Sequence, residues 1–257
     1  MILVIPIALD VKTIMGMVSI SLFMQVIMLI FLCVFIKKYP GVKTFTAARI
    51  VALTSYSLIF TQTEPTSVIV ALGSVLLVVS SSLVCVGIAR FTNQTIHGKF
   101  LVAYNLIFIS VQSYLVVFYN IFFIKTAAQS IFQVGLMSYA VYLLTHRSHK
   151  SFLVSSRFLT TVFLGMQLVL ILRIIALIKN PPPNFFAPNE FNALSLIIVF
   201  VYTFLLTGGF IMMVCEKIFH DLKLVANTDE LTQLLNRRAM MKLLEREREH
   251  PTFVKTG

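Results

Sequence analysis

Residues 66–89, TSVIVALGSVLLVVSSSLVCVGIA, run without a single charged side chain. The hydrocarbon core of a bilayer is about 30 Å thick, and a helix of roughly 20 apolar residues crosses it. We therefore predict that this stretch is a transmembrane helix. It sets the expected fold class of the chain, which is all-α and embedded in a membrane.

The rest of the chain has the same character. Hydrophobic residues make up 58% of the 257 positions, charged residues only 12%, and the mean hydropathy is +0.91. A soluble domain cannot cover so much apolar side chain with polar surface. Seven apolar runs predict a polytopic bundle of seven transmembrane helices: Ile14–Ile36, Phe45–Phe60, Thr66–Ala89, Phe100–Phe123, Ala127–Leu144, Phe158–Ile178 and Phe191–Cys215.

The charges predict how this bundle is oriented. The net charge is +11, but Lys and Arg gather in short stretches between the apolar runs, a distribution typical of topology-setting loops rather than of nucleic-acid binding. One predicted side holds Lys37, Lys38, Lys43, Arg49, Arg90, Lys99, Arg147, Lys150 and Arg157, and the other holds Lys12, Lys125 and Lys179. The positive-inside rule then places the N-terminus outside and the C-terminus in the cytoplasm. We expect basic residues of the inner side, such as Arg49 and Arg157, to anchor lipid phosphates.

Neither the cysteines nor the histidines predict a metal site. The cysteines lie in or at the ends of apolar runs, with no metal-binding spacing and no disulfide framework: Cys33, Cys85 and Cys215. The histidines with metal-binding potential have no fixed carboxylate or thiolate partner, and we interpret them as solvated loop residues: His97, His146 and His149.

The composition changes abruptly after Cys215, where acidic and basic residues become frequent. Residues 216–227 are predicted to form a cytoplasmic helix that continues from the seventh span. Its apolar positions recur at spacings of three and four residues, at Cys215, Ile218, Leu222 and Val225. This seam fits either a parallel partner helix or an ordinary amphipathic helix at the membrane surface.

Residues 228–240, TDELTQLLNRRAM, form the most specific motif of the chain. They resemble the opening of the GGDEF domain of diguanylate cyclases, TDxLTxLxNRRxF. Gln233 replaces the usual Gly and Met240 the usual Phe. The matching positions include Asp229, Leu231, Thr232, Asn236, Arg237 and Arg238. The resemblance implies a structural role, in which the Asp and Thr side chains bond nearby backbone where the signalling helix enters the catalytic domain.

The resemblance also implies a function. GGDEF proteins condense two GTP molecules into cyclic di-GMP, with Mg²⁺ held by carboxylates and two catalytic domains facing each other in a homodimer. The GG[DE]EF turn and its carboxylates are missing here, so this chain alone is predicted to be inactive and to need no cofactor. The predicted organisation is a sensor module over 1–215, a signalling helix over 216–227 and the start of a GGDEF domain over 228–257. The expected location is the bacterial cytoplasmic (inner) membrane.

The site that receives the signal is predicted inside the bundle, because the outer loops are too short for a folded sensor domain. Arg173 lies about 8 Å below the outer end of the sixth predicted helix. We predict that it pairs with an unknown small, partly apolar, anionic ligand in a pocket lined by other polar side chains: Gln112, Asn120, Gln133, Tyr139 and Gln167. Each of these could instead form a hydrogen bond between helices.

Two other functions fit parts of the sequence. His220-Asp221 resembles the start of a histidine-kinase phosphoacceptor box, but Val225 occupies the position where that box has Pro. A small transporter or channel is the main alternative, although the predicted spans contain no acidic residue and no repeat of broken helices.

Overall fold

The computed structural model describes residues 11–36, 38–62, 67–119, 121–146, 152–179, 181, 190–227 and 240–241. Over these ranges the chain forms seven long α-helices: α1 (Val11–Phe35), α2 (Val42–Phe60), α3 (Ser67–Phe91), α4 (Gly98–Tyr114), α5 (Phe122–His146), α6 (Leu153–Lys179) and α7 (Glu190–Asn227). A π-helical turn, Leu115–Tyr119, continues α4.

Six of the helices in the described ranges are long and apolar enough to cross a membrane, which indicates a membrane-embedded protein. The exception is α2, because its 19 residues include Lys43, Arg49 and several hydroxyl side chains. The neighbouring helices supply partners for this polar content. Ser55 donates a 2.8 Å hydrogen bond to the carbonyl oxygen of Gly73 on α3, and Ser80 of α3 donates one of 2.8 Å to that of Ala48.

The expected boundary between the fourth and fifth helices is wrong. Phe100–Phe123 was expected as one helix, but the π-helical turn ends at Tyr119 and α5 begins at Phe122. Lys125, which was expected in an outer loop, therefore lies in the first turn of α5 and is buried. Gln112 of α4 donates a 3.0 Å hydrogen bond to the carbonyl oxygen of Lys125 and ties the two helices together.

Each helix packs against at least two others in the described part of the bundle. Helix α2 lies between α1 and α3, and α7 packs against α1 and α6. Helix α5 packs against α3 and α6, whereas α4 contacts mainly α3. Apart from α4 and α5, consecutive helices are close neighbours, as expected of a bundle with short connections.

One end of the bundle, where α1 ends and α2 begins, is closely packed; we call it the Gly41 end. Gly41 has a φ of 101°, and a Cβ there would lie 2.5 Å from the carbonyl oxygen of Gly87 on α3. Only glycine fits this conformation at such a close approach. The chain can therefore turn into α2 directly against the backbone of α3.

Four phenylalanines fill the interior at this end and form what we call the aromatic layer: Phe45, Phe91, Phe152 and Phe210. The rings of Phe45 and Phe210 stack in parallel with centroids 3.9 Å apart, and Phe91 meets Phe210 edge-on at 5.6 Å. All four side chains are buried, so α2, α3 and α7 are held together here by close apolar contact.

Helix α7 is a single unbroken helix of 38 residues that includes both the last apolar run and residues 216–227. Two acidic side chains attach its C-terminal part to the bundle. Glu216 accepts a 2.7 Å hydrogen bond from the Ser155 hydroxyl in the first turn of α6. Asp221 accepts hydrogen bonds of 2.8 Å from Lys38 and 3.0 Å from Tyr39, both in the α1–α2 connection, and the hydrogen bond to Asp221 raises the pKa of Lys38.

Candidate functional site

A cavity of about 70 Å³ lies inside the bundle, between α2, α3, α5, α6 and α7. Both arginines of interest line it: Arg49 of α2 and Arg173 of α6. Its walls also include hydroxyl and amide side chains, namely Tyr56, Ser80, Ser81, Gln129, Ser130, Gln133, Tyr202 and Thr203. The remaining walls are apolar, and Phe163, Met166, Leu170 and Val199 are representative. A mixed lining of this kind suits a small amphipathic ligand.

Arg49 occupies an interior position that corrects the sequence-based expectation. It was expected to anchor a lipid phosphate at the membrane surface, but the residue is only 3% exposed. Its Nη2 donates hydrogen bonds of 3.0 Å to Gln25 Oε1 and 3.3 Å to the carbonyl oxygen of Thr203. Arg157 is exposed, and its role as a lipid anchor stays a prediction.

Gln25 organises a buried group of polar side chains, which we call the Gln25 network: Ser21, Gln25, Arg49, Thr203 and Thr207. The Gln25 Oε1 atom accepts hydrogen bonds from Arg49 and, at 2.7 Å, from the Thr207 hydroxyl. Its Nε2 atom donates to the hydroxyls of Ser21 at 2.8 Å and Thr203 at 3.4 Å. The network thereby connects α1, α2 and α7 at the wall of the cavity.

The Arg49 guanidinium is only partly satisfied by this network. Its Nε atom is buried and has no hydrogen-bond partner among the residues that the structure describes. The ion pairs within those ranges all involve Asp221, and none involves Arg49. Both acceptors of Nη2 are neutral groups, so the described part of the chain supplies no counter-charge in contact with this cation.

Arg173 lines the same cavity from α6 and is half-buried. On α2, Tyr56 lines the cavity seven residues, or about two helical turns, beyond Arg49. The Gln129 side chain, also in the lining, contacts α3 through a 3.0 Å hydrogen bond from the Ser74 hydroxyl. The cavity therefore combines two guanidinium groups with neutral donors and acceptors from α2, α3, α5 and α7.

Two of the six predicted pocket residues, Arg173 and Gln133, line this cavity. The structure places three others elsewhere. Gln112 bonds the backbone of Lys125, and Gln167 donates a 3.0 Å hydrogen bond to the Ser138 hydroxyl at an exposed α5–α6 contact. Tyr139 packs near the rings of Phe100 and Tyr142. Asn120 lies outside the described residues.

The motif residues that resemble a GGDEF domain also lie outside the described ranges: Asp229, Leu231, Thr232, Asn236, Arg237 and Arg238. Within the described ranges, no cluster of three or more His, Cys, Asp or Glu side chains is placed to hold a metal ion. Cys33, Cys85 and Cys215 are free thiols.

Arg49 and Gln25 were not predicted as site residues. Arg49 was grouped with the loop charges because Lys43 precedes it closely, although seven residues of α2 lie before it. Gln25 carried a usable signal, since it stands alone as an amide in the middle of the apolar helix α1. Comparison with family models, with curated proteins and with solved structures found no match to this chain.

Proposed function

We propose that this chain is the sensory input part of a membrane-bound diguanylate cyclase. In this proposal all seven helices span the bacterial cytoplasmic membrane, with the N-terminus outside and residues 216–227 in the cytoplasm. The short, polar-containing α2 crosses because α1 and α3 cover it on both sides. The state of the cavity is transmitted along α7 to a GGDEF-type domain that begins at residue 228.

The single observation that carries the proposal is the continuity of α7. Val199, Tyr202, Thr203 and Leu206 of this helix line the cavity. The same helix continues without a break to Asn227, the residue before the GGDEF-like motif. A rigid element that joins an internal cavity to the start of an output domain is the connection that a sensor requires.

The proposal includes a homodimer, because a diguanylate cyclase needs two catalytic domains to face each other. Three of the four seam residues of α7 are exposed in the single chain: Cys215, Leu222 and Val225. The fourth, Ile218, packs partly against the core. Paired α7 helices would change the distance or angle between two output domains when the cavity changes.

The experiment that tests this function measures cyclic di-GMP made from GTP and Mg²⁺ in isolated membranes. The chain is expressed together with the sequence that follows residue 257 in its gene, beside the 257-residue chain and a version of the longer protein with its GG[DE]EF motif replaced by alanines. We expect synthesis only from the longer protein with an intact motif. Absence of synthesis from that protein would contradict the proposal.

A small anion transporter is the second candidate, and the central cavity itself favours it. Two arginines inside a bundle would select anions, as basic side chains do in anion pathways. Uptake of labelled acetate and of inorganic phosphate by vesicles containing the 257-residue chain discriminates the two functions. The signalling proposal predicts uptake no faster than in vesicles without protein, whereas net transport would favour the second candidate.

A further inference from the structure

Arg49 is a buried cation that the described part of the chain compensates only in part. Its residue is 3% exposed, its Nη2 contacts only neutral oxygens, and its Nε has no hydrogen-bond partner among the described residues. A buried cation without a counter-charge is strongly destabilising, and an unmade hydrogen bond from a charged donor adds to that cost. Such a group at a cavity wall points to a ligand that supplies the counter-charge and the missing hydrogen bond.

The charge of that ligand follows from the cavity lining. Among the described residues that line the cavity, the charged side chains are those of Arg49 and Arg173, and none is a carboxylate. The matching chemical group is an anion with planar or tetrahedral oxygens, which arginine binds with directed N–H bonds.

The size and the apolar surface of the cavity further restrict the kinds of ligand that it can hold. One buried water needs roughly 10–15 Å³ of cavity volume. A cavity of about 70 Å³ therefore admits a molecule of several heavy atoms. Phe163, Met166, Leu170 and Val199 give part of the wall an apolar surface. That surface favours a carbon chain over a fully hydrated inorganic ion.

We propose that the cavity binds a small organic carboxylate, with its carboxylate group at Arg49 and its carbon chain against the apolar wall. Arg173 supplies a second positive charge to the same site. This inference rests on the proposed sensory function only in naming the ligand as the signal; binding itself depends on the cavity alone.

Arg49→Met separates the ligand role of this residue from a purely structural one. The methionine removes the buried charge and leaves Gln25 Oε1 with its hydrogen bond from Thr207. Replacing a buried charge by an apolar side chain of similar length is often neutral or stabilising. We therefore expect the ligand-free variant to melt at the same temperature as the unaltered chain or higher, and to lose its response to carboxylates.

The experiment follows the thermal unfolding of the purified 257-residue chain in detergent with acetate, butyrate, succinate or hexanoate, each beside its neutral amide. The expected result is a rise in Tm of at least about 2–4 °C at a saturating concentration of the best carboxylate, and none with its amide. Arg49→Met should abolish this rise and Arg173→Gln should reduce it. The control Arg157→Met, at an exposed position of α6, should keep it.

Three outcomes overturn the inference: no carboxylate raises Tm more than its amide does, Arg49→Met responds like the unaltered chain, or inorganic phosphate stabilises the chain while carboxylates do not. The measurement needs no output domain. Carboxylate binding without cyclic di-GMP synthesis by the longer protein would therefore contradict the proposed function alone. Synthesis without carboxylate binding would contradict only this inference.

Discussion

The aromatic layer and the arginine-lined cavity lie one helical turn apart on α2 and α7. These helices pack tightly in the aromatic layer and loosely at the cavity. Phe45 precedes Arg49 by four residues on α2, and Phe210 follows Leu206 by four residues on α7. In the aromatic layer the two rings stack at 3.9 Å. One turn away, the same helices leave a cavity of about 70 Å³ and a buried guanidinium whose Nε has no hydrogen-bond partner in the described part of the chain.

This difference indicates where the helices are held in place and where their packing can change. Apolar interiors packed to this density resist displacement, whereas a cavity beside a cation that its described neighbours satisfy only in part leaves interactions to be gained. A ligand in the cavity would therefore alter the contacts that α7 makes there, one turn from the tightly packed aromatic layer. Beyond that layer, α7 meets only two polar attachments that the structure describes, at Glu216 and Asp221.

The largest effect is expected from emptying the aromatic layer. Phe210→Ala removes a side chain that is 0% exposed and stacked on Phe45, and should lower the free energy of unfolding by about 3–5 kcal/mol. Phe204→Ala on the same helix is the control, because Phe204 is 48% exposed. Denaturant unfolding in detergent compares the two. Equal losses would show that the layer does not fix the helices.

An intermediate loss of stability is expected when a larger side chain is placed in the α6–α7 contact next to Phe210. A Cβ at Gly209 would lie 2.6 Å from Leu159 and 3.0 Å from Phe158, whereas one at Gly208 meets nothing within 4 Å. Gly209→Val should therefore cost about 1–3 kcal/mol more than Gly208→Val. Because both variants place the same β-branched side chain in the same helix, the difference in Tm isolates the contact. A larger loss for Gly208→Val would contradict this packing.

The fold was largely predictable from the sequence, while most of the candidate site was not. Long apolar runs allow few structures other than membrane helices, so the helical class and six apolar helices could be predicted. The α4–α5 boundary could not, because residues 100–123 contain no proline or glycine to mark a break. Arg173 and Gln133 were predicted beside a pocket, but which faces of two helices converge depends on packing that hydropathy does not encode.

Arg49 shows most clearly why the site could not be predicted from the sequence. By sequence it belongs to a cluster of loop charges, and bilayer insertion alone would place it at the head groups. Its burial depends on Gln25 and Thr203, which lie 24 and 154 residues away along the chain. No local pattern connects these positions, since only the assembled helices bring them together.

The smallest change in stability is expected at the attachment of Asp221. Asp221→Asn weakens its ion pair with Lys38, and because an ion pair in contact with solvent adds little to stability, Tm should hardly change. Residues 216–227 should nevertheless open more often, and trypsin should cut after Lys217 and Lys223 up to about 5-fold faster.

The control for that change is Phe219→Ala, at an exposed position of the same segment. Mass spectrometry of the fragments identifies the cleavage sites. Unchanged cleavage in Asp221→Asn would mean that Asp221 does not hold the end of α7 to the α1–α2 connection.

The most direct test of coupling between the cavity and α7 is amide hydrogen exchange of the 257-residue chain in lipid nanodiscs. Exchange is compared in butyrate and in butyramide, for the unaltered chain and for Arg49→Met. The account predicts that butyrate slows exchange around the cavity-lining residues 199–206 and also changes it in residues 216–227, in the unaltered chain alone. Slower exchange at the cavity with an unchanged rate in residues 216–227 would contradict transmission along α7.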